Sequence, residues 1–166
     1  MRDKLFALIV FAFVAQAFAA NRVVLITVDT FRSDYLGPAT PNIQRLAKSG
    51  IYFPNTVSPV PLTLPAHCSI MTGLLPIRHG VHDNSGFVLN SKITTLAQIF
   101  HNSGFLTAAF IGAFPLDSRF GLDRGFDVYD DSYPVVNQHS EITMPERNAE
   151  TVGAARGRSA GSTRRR

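Results

Sequence analysis

Two short runs, RVVLITV at residues 22–28 and FLTAAFI at residues 105–111, set the narrowest limits on how this chain can fold. Neither alternates apolar with polar residues, so neither suits a strand with one face in water. Each suits a strand covered on both faces, as in a parallel sheet. Between them lie stretches of helical spacing. Residues 41–49 begin on Pro41, which fits the first helical position, and carry Ile43, Leu46 and Ala47, with Gly50 expected as the left-handed residue that ends the helix. Residues 51–57 read as a second strand, which Pro54 confines to an edge or shortens. Thr94 or Thr95 can cap a helix running through Phe100 and stopped by Gly104. Strand, helix and strand in this order predict an α/β fold, a doubly wound, mostly parallel sheet with flanking helices.

The chemistry concentrates in residues 59–87, PVPLTLPAHCSIMTGLLPIRHGVHDNSGF. Thr63 stands where a loop turns into a short helix. Pro65 wastes no N–H in the first turn, and Gly73 and Pro76 supply the stop. Thr63 is therefore expected at the N-cap, which allows two readings. Its oxygen accepts an orphan helix N–H, or the same positive helix end holds a phosphate or sulfate whose central atom the hydroxyl attacks. The helix should bury Cys68, Met71 and Leu74 on one face. Asp29, at the carboxyl end of the first run, is either a loop cap or a metal ligand, since open α/β sheets gather ligand groups there. His67, one turn after Thr63, either touches a bound anion or makes a packing contact. His79 and His82, three apart in a loop, form a pair that binds metal or is simply solvated, and His101 reads as a surface or packing residue.

Composition matters in three places. Arg2 and Lys4, the apolar run at residues 5–14 and the small residues 17–20 read as a secretory signal peptide at residues 1–20, too short for a comfortable membrane span. The expected location is secreted or periplasmic, with no stable span after cleavage. Cys68 is the only cysteine, which excludes an internal disulfide. The net charge of +4 rests on Arg156, Arg158, Arg164, Arg165 and Arg166; without these five of sixteen basic residues, eleven stand against twelve acids. That confinement to a tail argues against a nucleic-acid partner. Residues 148–166 read as a disordered basic tail, opened by a helix-like start at residues 148–152. Residues 112–131 read as loop with short turns, their carboxylates Asp123, Asp127, Asp130 and Asp131 lacking the spacing of a calcium loop and read as a solvated acidic loop. No feature of the sequence sets an oligomeric state.

Four fragments in order, VVLITVDTFRSDYLG, TPNIQRLAKSGIYFPNTVSP, LTLPAHCSIMTGLLPIRHGVHDN and TLAQIFHNSGFLTAAFIG, make residues 21–131 resemble the amino-terminal half of the alkaline-phosphatase superfamily. The likeness is to sulfatase-like and nucleotide pyrophosphatase/phosphodiesterase-like hydrolases. The resemblance implies an alkaline-phosphatase-like domain over residues 21–147, incomplete at its carboxyl end, acting on small sulfate or phosphate esters with a divalent metal, zinc or calcium. It implies Asp29 as the first metal-binding aspartate, Thr63 as nucleophile and metal ligand, and Asn84 as the amide that steadies the oxyanion.

The departures narrow the reading. Sulfatases place Pro and Arg two and four positions after the nucleophile; here Pro65 is kept and His67 replaces the arginine. A threonine nucleophile matches the phosphodiesterase branch. The Asp-His-Gly that usually completes the metal centre does not occur in this sequence. The metal site is thus expected to be incomplete and the chain inactive by itself. The alternative is a non-catalytic fragment or an anion-binding module.

Overall fold

A computed structural model of the chain describes residues 22–133 and 146–154. The proposed signal peptide at residues 1–20 and most of the basic tail, residues 155–166, lie outside the described residues. The chain divides into two compact units between Tyr52 and Phe53, and each is taken by itself.

In the first unit the expected opening strand is absent as a paired element. Residues 22–28 run without a ladder partner among the described residues, and Val24 and Ile26 are 62 % and 71 % exposed. Hydrophobicity makes a segment suitable for a sheet interior, but only backbone partners make it a strand. A 3-10 turn follows at Ser33–Tyr35. Beside it Arg32 forks onto Asp34 and lies over the Tyr35 ring. Helix α1, Pro41–Ser49, begins on proline as expected and buries none of its residues. Thr40 precedes it but does not cap it; its hydroxyl turns back to donate to the Tyr35 carbonyl. Gly50 departs from expectation too, with extended φ of −119° in place of a left-handed conformation. The second expected strand, residues 51–57, is unpaired among the described residues, and its Ile51, Phe53 and Val57 are exposed.

The second unit carries the core. Helix α2 is Thr63–Thr72, and a short helix α3, Pro76–His79, follows. Gly73 and Gly80 take the left-handed conformation after each, which lets the chain reverse twice within a few residues. Leu64 and Cys68 of α2 pack with Val81, Leu89, Leu116 and Phe120. Met71 is half-buried against this cluster, and Leu74 falls beyond the end of the helix. Burial pushes the Cys68 thiol up to about 11, as an inert core residue should show.

Helix α4, Leu96–Asn102, starts where the sequence indicated. Thr95 is its N-cap and forms a reciprocal capping box with Gln98. The Thr95 hydroxyl also donates to the Arg124 carbonyl at 2.7 Å, which ties a loop 29 residues away to the helix start. That loop then touches α4 backbone to backbone. A Cβ at Gly125 would stand 2.2 Å from the Gln98 nitrogen, and φ there is +91°.

Strand β1, Ala108–Phe110, lies within the expected third strand and pairs in parallel with β2, Val128–Asp130. The second partner falls in a stretch that composition assigns to loop. Its acids are also not simply solvated. Asp127 accepts from both the N–H and the hydroxyl of Thr107, Asp130 pairs with Arg147, and Asp131 accepts from the Ser118 N–H. These bonds fasten the parallel pair at both ends, and the Thr107 bonds hold the Asp127 carboxyl below the usual carboxylate range. Residues 149–154 are helical, opened by Asn148, whose side chain accepts from the Thr151 N–H. The architecture is mixed helix with a small parallel sheet, consistent with the α/β class.

Candidate functional site

The start of α2 brings three of the four sequence-derived candidates together. Thr63 is the first helical residue and not the expected N-cap, so the helix begins one residue early; Leu62 is the N-cap and its side chain has no oxygen to offer. The capping oxygen comes from elsewhere in the chain. Asn84 Oδ1 accepts from the Leu64 N–H at 2.9 Å, across 20 residues of sequence. A backbone N–H can bond only the oxygen of an amide, so the contact fixes which way Asn84 faces and leaves its NH₂ as the donor beside the helix end. Asp83 assists by accepting from the Asn84 N–H.

His67 turns to its own helix. Its Nδ1 lies 2.7 Å from the Thr63 carbonyl. A carbonyl only accepts, so Nδ1 carries the proton, and Nε2 is the ring's acceptor when the imidazole is neutral. Thr63, His67 and Asn84 are all half-buried, while the Leu64 and Pro65 between them are buried. The helix start is thereby held from below by apolar packing, with its polar groups at the surface.

His79 and His82 do not form a metal pair. His79 is 2 % exposed, with Nδ1 accepting from the Val81 N–H and Nε2 3.0 Å from the Ser69 hydroxyl. His82 is exposed and sets its ring edge-on to Phe87. His101, on α4, stands 3.2 Å from Asp127 and is a surface ion-pair partner.

Asp29 belongs to the first unit. Its Oδ1 accepts from the Thr30 N–H at 3.1 Å, and it lines a hollow of about 330 Å³ with Val28, Thr30, Phe31, Arg32 and Tyr35. Thr30 has φ of 55°, a left-handed conformation unusual for a β-branched residue. Among the described residues no three histidine, cysteine or acidic side chains gather closely enough to hold a metal ion. Nor is any helix among them long and apolar enough to cross a membrane.

What sequence reasoning missed is the direction of the cap. The hydroxyl at Thr63 drew attention because caps are usually local, whereas the oxygen that serves this helix sits in the loop after α3. The hint available was Asp83-Asn84-Ser85-Gly86, a turn sequence one short helix beyond α2.

A family model described as type I phosphodiesterase / nucleotide pyrophosphatase matches residues 23–97. An uncharacterized pyrophosphatase/phosphodiesterase of Schizosaccharomyces pombe is 39% identical over 69 residues, 40% of this chain and 14% of its own length. An ulvan-active sulfatase of Formosa agariphila is 36% identical over 103 residues, 58% of this chain and 20% of its own. Human N-acetylgalactosamine-6-sulfatase is 40% identical over 52 residues, 31% of this chain and 10% of its own. The chain therefore spans a fifth or less of the length of these relatives. No solved structure matches it.

Proposed function

Because the amino-terminal region of this chain belongs to the alkaline-phosphatase superfamily, we propose that it carries the nucleophile end of a hydrolase acting on sulfate or phosphate esters. The observation that supports this reading is the bond from the Leu64 N–H to Asn84. It sets an amide donor beside the hydroxyl-bearing first residue of a helix, the end of a helix that favours anions. In the proposed reaction the Thr63 oxygen attacks the sulfur or phosphorus as the bond to the leaving oxygen breaks, and the hydroxyl proton departs with that oxygen as the alcohol. Water then cleaves the Thr63 ester to release sulfate or phosphate, and the Asn84 NH₂ holds the charge that builds on the transferred group. His67 braces the first turn through the Thr63 carbonyl. The rest of the proposed fold is a doubly wound sheet of the superfamily type, and the proposed location is secreted or periplasmic.

The metal is the part that these residues do not fit by themselves. Asp29 and Thr63 offer one carboxylate and one hydroxyl, whereas zinc or calcium takes about four to seven ligands. We propose that the 166 residues alone bind such an ion weakly and turn over no ester; tight zinc or calcium binding by calorimetry would overturn this.

The chemistry is tested in a chain extended with the carboxyl-terminal part of the Formosa agariphila sulfatase. Thr63→Ala should abolish hydrolysis of aryl phosphodiesters and aryl sulfates. Asn84→Asp separates the two jobs of Asn84, because it keeps an oxygen for the Leu64 N–H and removes the donor. It should lose on the order of a hundredfold in rate with little change in stability. An unchanged rate in Thr63→Ala removes this residue from the mechanism. Retained anion binding without any turnover in the unmutated chain would instead favour an anion-binding module.

A further inference from the structure

Helix α2 is tied twice to one short segment. At its start the Leu64 N–H donates to Asn84. In its middle Ser69 meets the His79 ring, whose other nitrogen accepts from the Val81 N–H. Residues 79–84 therefore begin on one helix contact and end on the other, with Gly80 in the left-handed conformation and Val81 fully buried between them. We propose that His79 is a positioning residue for the Thr63 site, and that protonating its ring releases the segment that carries Asn84.

The tautomer follows from the contacts. Val81 N–H is a donor only, so Nδ1 carries no hydrogen and Nε2–H donates to Ser69 Oγ. The ring is thus neutral, with both nitrogens used, and it is not a base for Ser69. A proton arriving on Nδ1 would face the Val81 N–H, donor against donor, in a site almost closed to water.

The surroundings offer that charge little relief. Titratable or charged groups on the adjoining elements are His67 and Cys68 of α2, Arg78 of α3, and His82 and Asp83 of the loop. His101 of α4 is turned to Asp127, and the packed turn Phe114–Leu116 has no such group. The charge that acts on the ring is that of His82, and it opposes protonation. Burial is the larger cause, and together they hold the His79 ring below the usual histidine value of 6.5, against a smaller upward effect of the Pro65 carbonyl. Acidification below that value then favours the released segment, by at most about tenfold per pH unit, until the pH reaches the lower value at which the closed ring itself takes a proton.

This regulation deepens the hydrolase reading and rests on it for its meaning, but the coupling can be measured without turnover. In the full chain, hydrogen exchange of the Leu64 and Val81 amides is followed by NMR from about pH 7 to about pH 5, corrected for intrinsic exchange, with the ring nitrogens observed directly. The expected result is a neutral Nε2–H ring at the upper end and a joint loss of protection at both amides that sets in below 6.5, at most about tenfold per pH unit. Asn at position 79 supplies an oxygen to Val81 that does not titrate, so His79→Asn should keep protection at both amides across the range. Thr63→Ala should leave the coupling unchanged, so a hydrolysis rate that this substitution does not alter would sink the hydrolase reading and spare this one. A ring titrating as an exposed histidine, or Val81 losing protection while Leu64 does not, overturns the proposal.

Discussion

Residues 22–28 and residues 105–111 are apolar runs of the same length and type, and they end differently. The second holds β1, which gains a parallel partner in β2 and a clasp between Thr107 and Asp127. The first has no ladder among the described residues and leaves Val24, Leu25 and Ile26 more than half exposed. The difference is not in the runs but in what surrounds them. From 36 residues beyond Ile111 the chain supplies Arg147, which donates to the Ile111 and Asp130 carbonyls and to the Asp130 carboxylate. A strand is a property of a pair, and an apolar run is only one half of it.

If the region from Phe53 onward is tightly specified and residues 22–52 are not, the sharpest break should come where backbone meets backbone. Gly125→Ala places a methyl group against the Gln98 nitrogen and Ala97 carbonyl carbon at a left-handed φ. Neither atom belongs to a flexible side chain, so the loop must leave α4 and uncouple the Thr95 bond to the Arg124 carbonyl. The expected loss is on the order of 4 kcal/mol, the range reserved for strain of this kind. Denaturant unfolding measures it; a loss under about 1 kcal/mol would mean that the loop is not seated on the helix.

The same substitution in the two regions makes a cleaner comparison. Leu64 is fully buried and Leu46 is 65 % exposed. Leu64→Ala should cost about 3 kcal/mol, the transfer of the side chain plus the cavity it leaves. Leu46→Ala, on the bare face of α1, should cost under about 0.5 kcal/mol. Equal costs would erase the distinction between the regions.

How much of this was legible follows the same line. Local signals were readable: a threonine cap at position 94 or 95, proline at the start of α1, the glycine stop after α2 and the burial of Cys68. Signals that depend on a distant partner were not. The cap on α2 comes from Asn84, 20 residues on, and nothing in Leu62 or Thr63 announces it. Strand β2 was hidden because Val128-Tyr129-Asp130 is short and acidic at its end, and it is made a strand by Thr107 and Arg147. The buried state of His79 was equally out of reach. The sequence Arg78-His79-Gly80 looks polar, and only the packing of α2 against α3 removes the ring from water.

Acid should separate the regions by a smaller amount. The folded His79 ring is held below 6.5, so the unfolded chain binds more protons just below that pH, and stability falls as pH drops. The slope is at most about 1.4 kcal/mol per pH unit and ends at the folded value. Further acidification through 3.8 removes what the ionised Asp127, Asp130 and Asp131 contribute, since each is held below that value in the fold. All four groups lie beyond Phe53. Unfolding midpoints across pH should therefore show two acid phases, with His79→Asn lacking the first; a single phase near 3.8 in the unmutated chain would remove His79 from the stability account.

The smallest effect is expected where the apolar surface is barest. Ile26, at 71 % exposure, loses little by becoming polar, so Ile26→Lys should change unfolding stability by no more than about 0.5 kcal/mol. Its effect should appear in self-association. An exposed apolar segment that joins no ladder among the described residues is a template for another chain, and a lysine within it opposes that pairing through charge and the cost of burying it. Light scattering of Ile26→Lys should fall relative to the unmutated chain, while the same change at Phe110, within the paired β1, should instead unfold the protein. If Ile26→Lys costs more than about 1 kcal/mol, the run is covered in solution, and the contrast with residues 105–111 is one of which partner covers a strand and not of whether one does.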